Sequence, residues 1–186
     1  MNTTTHAALS PTAPWLSRLN GPWHETALRI YAVIVLSHWV EHLVQAFQIF
    51  VLGWPRPQSL GLIGQIWPWV FQAEWLHYVY ALVMLVGIWL VKDGFVGREK
   101  KWWMASFALQ FWHHIEHGLL QYQYLAKHNL FGMPVPTSVL QLWIPRVELH
   151  LFYNTVVFFP MVVAMYYHLF PTPADKAQHR CSCAVH

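Results

Sequence analysis

Four apolar stretches, at residues 27–53, 67–91, 102–126 and 146–170, restrict what this chain can become more than any other feature. Each is near the ~20 residues that an α-helix needs to cross the hydrocarbon core of a bilayer. With 56% hydrophobic and only 10% charged residues, the chain has too little polar side-chain surface to cover a soluble domain. The expected fold class is an all-α integral membrane protein, a four-transmembrane-helix up-down bundle. Outside the stretches lie a tail at 1–26, a loop at 92–101 and a second tail at 171–186. The first tail has no apolar run of the kind a cleaved signal carries and is interrupted by Pro11, Pro14, Asn20, Gly21 and Pro22. It reads as a loose segment with an interfacial patch at Trp15 and Trp23.

Lysine and arginine orient the helices. Arg18, Arg29, Lys92, Arg98, Lys100, Lys101, Lys176 and Arg180 fall on one side, against Arg56, Lys127 and Arg146 on the other. The positive-inside rule then places both termini in the cytoplasm of a cell whose inner membrane holds the protein. Trp54, Trp67, Trp69, Trp102, Trp103 and Trp143 mark the expected helix ends, where amphipathic rings prefer the headgroup region. A net charge of +3, with no basic stripe and no phosphate-binding glycine loop, excludes nucleic acid as a partner.

The chain also repeats itself. His38-Trp39-Val40-Glu41-His42 recurs as His113-His114-Ile115-Glu116-His117, 75 residues later. Gln48 falls on Gln123, Pro55-Arg56-Pro57-Gln58-Ser59 on Pro134-Val135-Pro136-Thr137-Ser138, and Gln65-Ile66-Trp67 on Gln141-Leu142-Trp143. His77-Tyr78-Val79-Tyr80 falls on His150-Leu151-Phe152-Tyr153. Two duplicated helical hairpins, 27–91 and 102–170, are therefore expected. Each has two helices, so the copies share an orientation and are related by a pseudo-two-fold axis along the membrane normal.

What the copies hold in common is chemistry. Positions i, i+3 and i+4 of a helix share a face, so His38, Glu41 and His42 project together, as do His113, Glu116 and His117. His77 and His150 come from the intervening helices, each followed three residues on by a tyrosine, Tyr80 or Tyr153. At ~1.5 Å per residue these histidines lie ~15 Å below the outer surface. Six imidazoles and two carboxylates suggest a dinuclear site with metal ligands His38, Glu41, His42, His77, His113, Glu116, His117 and His150. Nitrogen and oxygen donors suit two transition-metal ions, iron first, with copper, manganese or zinc as alternatives. Glu74 shares a face with His77 in an ExxH pattern and has no twin, since Val147 stands in its place. It is expected to bridge the metals or to carry a proton, and Tyr80 and Tyr153 are expected beside the reaction. His114 and Glu148 point off the shared faces, and Glu148 is placed instead against Arg146.

In ligand type this order of Glu, ExxH and Glu resembles a ferritin-like di-iron bundle moved into a membrane. The HxxxH spacings at His38/His42 and His113/His117 also look similar to the histidine boxes of membrane desaturases and hydroxylases. The HxxHH boxes of that family are absent and the present ones fall in the outer half of the helices, so its activity is not carried over.

The function expected from the sequence is a membrane oxidoreductase, of oxygenase or oxidase type, acting on a small or lipophilic substrate. The chain has no nicotinamide, flavin or iron–sulfur motif, so its electrons would come from a partner protein or a quinol. The alternatives are a non-enzymatic metal-binding or ion-conducting subunit, and a b-type haem carrier using pairs such as His38 and His113. Gln45, Gln48, Gln121 and Gln123 extend the polar stripe outward, as donors that orient the imidazoles or as the lining of a water path. His24, His128 and His168 read as ordinary polar core groups, and the Cys181-Ser182-Cys183 tail as a short segment able to capture metal.

Overall fold

The computed structural model describes residues 14–179 together with Cys181 and Cys183; residues 1–13 of the N-terminal tail and 184–186 of the C-terminal one lie outside the described residues. Among the described residues every regular element is helical. Four long helices form the body: α2 (His24–Phe50), α5 (Glu74–Val91), α6 (Gly97–Ala126) and α7 (Arg146–Leu169). Short helices α1 (Trp15–Leu19), α3 (Gly61–Ile66), α4 (Pro68–Gln72) and α8 (Pro173–Lys176) decorate the ends. Contacts between neighbours run in opposite chain directions. Tyr31 meets Met84 and His24 meets Val91 between α2 and α5; Gln110 meets Ala81 and Trp103 meets Ile88 between α5 and α6. Ser106 meets Val157 between α6 and α7, and α2 and α7 touch at His42/His150 and His24/His168.

Helices α2, α5 and α7 are long and apolar enough to cross a membrane. Helix α6 is the longest, at 30 residues, yet it is more polar, because His113, His114, Glu116, His117, Gln121 and Gln123 crowd its second half. The exterior of the body is apolar. Ile30, Val33, Leu43, Phe47, Phe111 and Phe159 are each at least half exposed, the inverse of a soluble surface and consistent with a membrane protein.

Local sequence sets the boundaries. Gly53, with φ +69°, turns the chain after α2, Lys127 adopts the left-handed conformation that ends α6, and Pro145 precedes α7. Three ends differ from expectation. The stretch expected at 67–91 divides into α4 and α5, and α5 starts only at Glu74, so His77 sits in its first turn and not ten residues down a continuous helix. Glu99 accepts the Val96 N–H at 2.6 Å, so α6 begins at Gly97 and the loop is shorter than 92–101. Residues 15–19 form a helical turn packed near α5, with Asn20 donating to the Leu90 carbonyl at 2.8 Å, so this part of the tail is not loose.

The interior has three levels. One half is an apolar core of Leu28, Tyr31, Val35, Met84, Ile88, Val91, Phe95, Trp103, Val157, Met161 and Ala164. Trp103, expected at the headgroup level, belongs to this core: it is 1% exposed and donates to the Ile88 carbonyl. Beyond the core, toward the α2–α5 and α6–α7 connections, lie the six paired histidines. At the opposite end a smaller group of histidine, glutamate and cysteine closes the molecule.

Candidate metal centre

The histidine level is assembled by contacts that recur in the two hairpins. His38 and His42, one helical turn apart, have ring centroids 4.4 Å apart at 79°, and His113 and His117 are 4.6 Å apart at 77°. Tyr80 stacks on His38 at 4.1 Å, and Tyr153 lies against His113 at 4.3 Å. Across the interface His42 stacks on His150 at 5.3 Å, and His117 on His77 at 6.3 Å. All six rings therefore share one region of the interior.

Backbone carbonyls fix the rings of the second helix of each hairpin. His77 Nδ1 lies 3.1 Å from the Ala73 carbonyl and His150 Nδ1 lies 2.8 Å from that of Arg146, each one turn earlier. A donating Nδ1–H leaves Nε2 as the lone-pair nitrogen, the tautomer a metal ligand requires. Nε2 of His150 is buried with no protein partner, as are Nδ1 of His113 and Nδ1 of His117. One nitrogen from each of His113, His117 and His150 falls within 4.8 Å of the other two. Buried polar atoms without partners are costly, about 1–3 kcal/mol each, and a shared metal ion would satisfy these. The donor set fits a metal. A cavity of about 20 Å³ lies between His38, His77, Tyr80, Gln110, His113 and His117, room for one water-sized species. It has no space for a porphyrin.

The acidic residues are engaged by the connections and by arginines, although Glu41 and Glu74 each border a cavity that the histidines also line. Glu41 does not turn toward the rings alone; its oxygens accept from the Leu62, Ile63 and Gly64 amides at 2.9–3.1 Å, at the start of α3. Glu116 accepts from the Ser138 hydroxyl at 2.6 Å and the Leu140 amide at 3.1 Å. Each carboxylate thus caps the returning connection of its own hairpin, satisfying amides at a helix start. The glutamines cooperate. Gln48 exchanges two hydrogen bonds with Gly61 (3.2 and 2.9 Å), and Gln123 does the same with Thr137 (2.9 and 3.2 Å). Gln45 bridges His42 Nδ1, at 3.2 Å, and the Ser59 carbonyl, at 2.8 Å, and so orients that ring.

Glu74 forms a two-point ion pair with Arg146, whose Nη2 lies 2.6 Å from Oε2, rather than standing beside His77 as a free base. Glu148, expected against Arg146, pairs with Arg56. The Tyr80 hydroxyl donates to the Ile34 carbonyl at 2.7 Å, so this tyrosine presents only its ring face to His38. His114 packs on Tyr78 at 5.0 Å, off the shared face, and His128 is exposed.

Two openings approach the rings. A cavity of about 260 Å³ lies between α2, α3 and α5, bordered by His38, His42, His77, Ile63, Leu76 and Tyr80. A wider one of about 540 Å³ descends from the loop end past Arg56, Glu74 and Arg146 to His42, His77 and His150.

At the opposite end His24, Glu99, His168, His179, Cys181 and Cys183 come together, so the cysteines expected to capture metal alone in a tail meet histidines expected to be ordinary core groups. The hydrogen bond from Cys183 and the contact with His168 hold the Cys181 thiol well below the usual range, while its sulfur neighbour and burial push Cys183 up. A signal was present. In an up-down arrangement the start of the first long helix and the end of the last share a level, which sets His24, His168 and the Cys-x-Cys tail at one depth.

Comparison with protein-family models, curated proteins and solved structures finds no match for this chain.

Proposed function

We propose that the protein is a four-span membrane metalloprotein in which His38, His42, His77, His113, His117 and His150 hold two transition-metal ions for redox chemistry on a small or lipophilic substrate. The observation that carries this reading is the gathering of these imidazoles from four helices in one region, with His38, His77, His113 and His117 around one water-sized space and with orphaned ring nitrogens, inside an apolar exterior. Four crossings are supported by the meeting of His24 with His168, ring centroids 5.3 Å apart, because chain ends at one level require an even number of traversals. The lysine and arginine asymmetry puts that level in the cytoplasm.

With Glu41 and Glu116 occupied by the loops, the donor set is chiefly imidazole, which suits copper, iron or zinc better than manganese. The metals would supply redox equivalents and Lewis acidity. The protein's own residues orient and enclose. Ala73 and Arg146 carbonyls fix the ring tautomers, Gln45 aims His42, and Tyr80 and Tyr153 cover the inner faces of His38 and His113. A lipophilic substrate would enter between α2 and α5, and a polar one past Arg56 and Arg146. Electrons would come from a quinol or a partner protein.

A second reading, a metal-binding subunit without its own reaction, is favoured by one observation, the tightness of the 20 Å³ interior. Metal analysis of the purified full chain in detergent decides between them, using His42→Ala and His117→Ala in a Cys181→Ser/Cys183→Ser background. Each histidine change is expected to remove about half the bound metal or to abolish the site. Iron or copper with an oxygen-sensitive spectrum supports the oxidoreductase. Freely exchanging zinc supports the subunit. Absence of metal at the histidines, after purification without chelators and after reloading, overturns both.

A further inference from the structure

We propose that His24, His168, Cys181 and Cys183 form a second, independent metal site, a tetrahedral zinc centre that fastens the C-terminal segment to the inner ends of α2 and α7. The residues are remote in sequence yet meet closely. His168 Nε2 lies 2.9 Å from Cys183 Sγ and 3.3 Å from Cys181 Sγ; Cys183 Sγ lies 3.6 Å from His24 Nδ1; and the sulfurs are 3.1 Å apart. Zn–S and Zn–N bonds of ~2.3 and ~2.1 Å set tetrahedral ligand atoms roughly 3.4–3.8 Å apart, so these four contacts lie within roughly 0.7 Å of that geometry, and all four ligand atoms fall within 4.8 Å of one another.

The surroundings are those of a ligand site. Both histidines are fully buried and Cys181 is 2% exposed. The outer nitrogen of each imidazole is already engaged, which turns the inner one toward the sulfurs: His24 Nε2 is 3.0 Å from the Val91 carbonyl, and His168 Nδ1 is 3.1 Å from Glu99 Oε1. A carboxylate behind a histidine fixes its tautomer and strengthens it as a ligand. His179 Nε2, 2.8 Å from the same Glu99 oxygen, holds that carboxylate in place. The absence of a side chain at Gly94 lets the His24 ring lie against the backbone, since any Cβ there would overlap it. Phe95 packs edge-on to His24 at 5.2 Å and against His168 at 4.8 Å, forming a dry wall that would disfavour two thiols and two imidazoles lacking a common partner.

Two thiolates with two imidazoles in a closed site define zinc, whereas the imidazole-rich outer site has no sulfur. In a reducing cytoplasm the thiols stay free to bind it. The centre is structural: it has four protein ligands, three of them buried, and only Cys183 borders a cavity, of about 550 Å³.

The test uses the full chain in detergent with zinc replaced by cobalt(II). The expected result is a thiolate-to-cobalt charge-transfer band, a signature only the cysteine site can give, unchanged in His117→Ala and lost in Cys181→Ser/Cys183→Ser. In the wild-type protein, bound zinc is expected to slow alkylation of both cysteines at least tenfold relative to chelated protein, a readout that needs no variant to fold. The proposal is overturned by a Cys181–Cys183 disulfide in protein isolated under reducing conditions. It is equally overturned by alkylation indifferent to zinc, by a charge-transfer band that survives the double serine change, or by retention of copper(I) in place of zinc.

Discussion

A carboxylate three residues from a histidine on one helical face can serve a metal or the polypeptide itself. Glu41 and Glu116 serve the polypeptide. Their oxygens meet backbone amides of α3 and of the 138–140 turn, so their loss should weaken folding more than metal binding. Glu41→Gln and Glu116→Gln are expected to cost about 1–3 kcal/mol each, as charge-assisted bonds become neutral ones, with the metal content of the histidine site unchanged. Thermal unfolding in detergent, with metal analysis on the same samples, checks this. Metal lost in step with either carboxylate would return it to the ligand set.

This residue pair also marks the limit of what the sequence disclosed. The i, i+4 spacing of His38/His42 and His113/His117 placed the imidazoles on one face, because helix periodicity alone decides it. Where the carboxylate between them points depends on connections whose return path has no periodic signature. The amides that capture Glu41 are 21 to 23 residues away. The Cys183/His24 contact was harder still, since it joins opposite ends of the chain.

At the scale of elements, the short connections are held as firmly as the long helices. Gly61 opens α3 at φ +78°, where its backbone exchanges hydrogen bonds with Gln48 and its missing Cβ leaves space for the Glu41 carboxylate. Gly53 has a similar φ, +69°, but open space around it. Gly61→Ala pays for both strain and overlap, and is expected to destabilise by about 2–4 kcal/mol, whereas Gly53→Ala costs only the left-handed strain of about 1 kcal/mol. Parallel thermal melts of the two variants measure the difference. Equal losses would mean that the Glu41 cap does not constrain the loop. The long helices were legible because length and hydropathy are averaged over many residues, and α6 shows the exception: its polar second half lowers its hydropathy precisely where the histidines gather, without shortening the helix.

For the whole molecule, the proposed four crossings require chain ends at one level, which is where α2 and α7 meet at His24 and His168. Reporter fusions before Trp15 and after the last residue, and in the 92–96 connection, are expected to report one side of the membrane, with the 127–145 connection on the other. Termini on opposite sides would leave three crossings and remove α6 from the bilayer.

The ion pairs at the loop end bear on how such a chain came to be one chain. Glu74 and Arg56 belong to the first hairpin; their partners Arg146 and Glu148 belong to the second. In the repeat alignment the counterparts of all four are uncharged: Val147, Val135, Ala73 and Trp75. Two copies of either hairpin would therefore set these charges against apolar side chains, while one of each satisfies all four. The matched histidines are compatible with an assembly of identical halves, but the ion pairs are not. Covalent linkage guarantees one of each half, and the four charges make the two halves non-interchangeable.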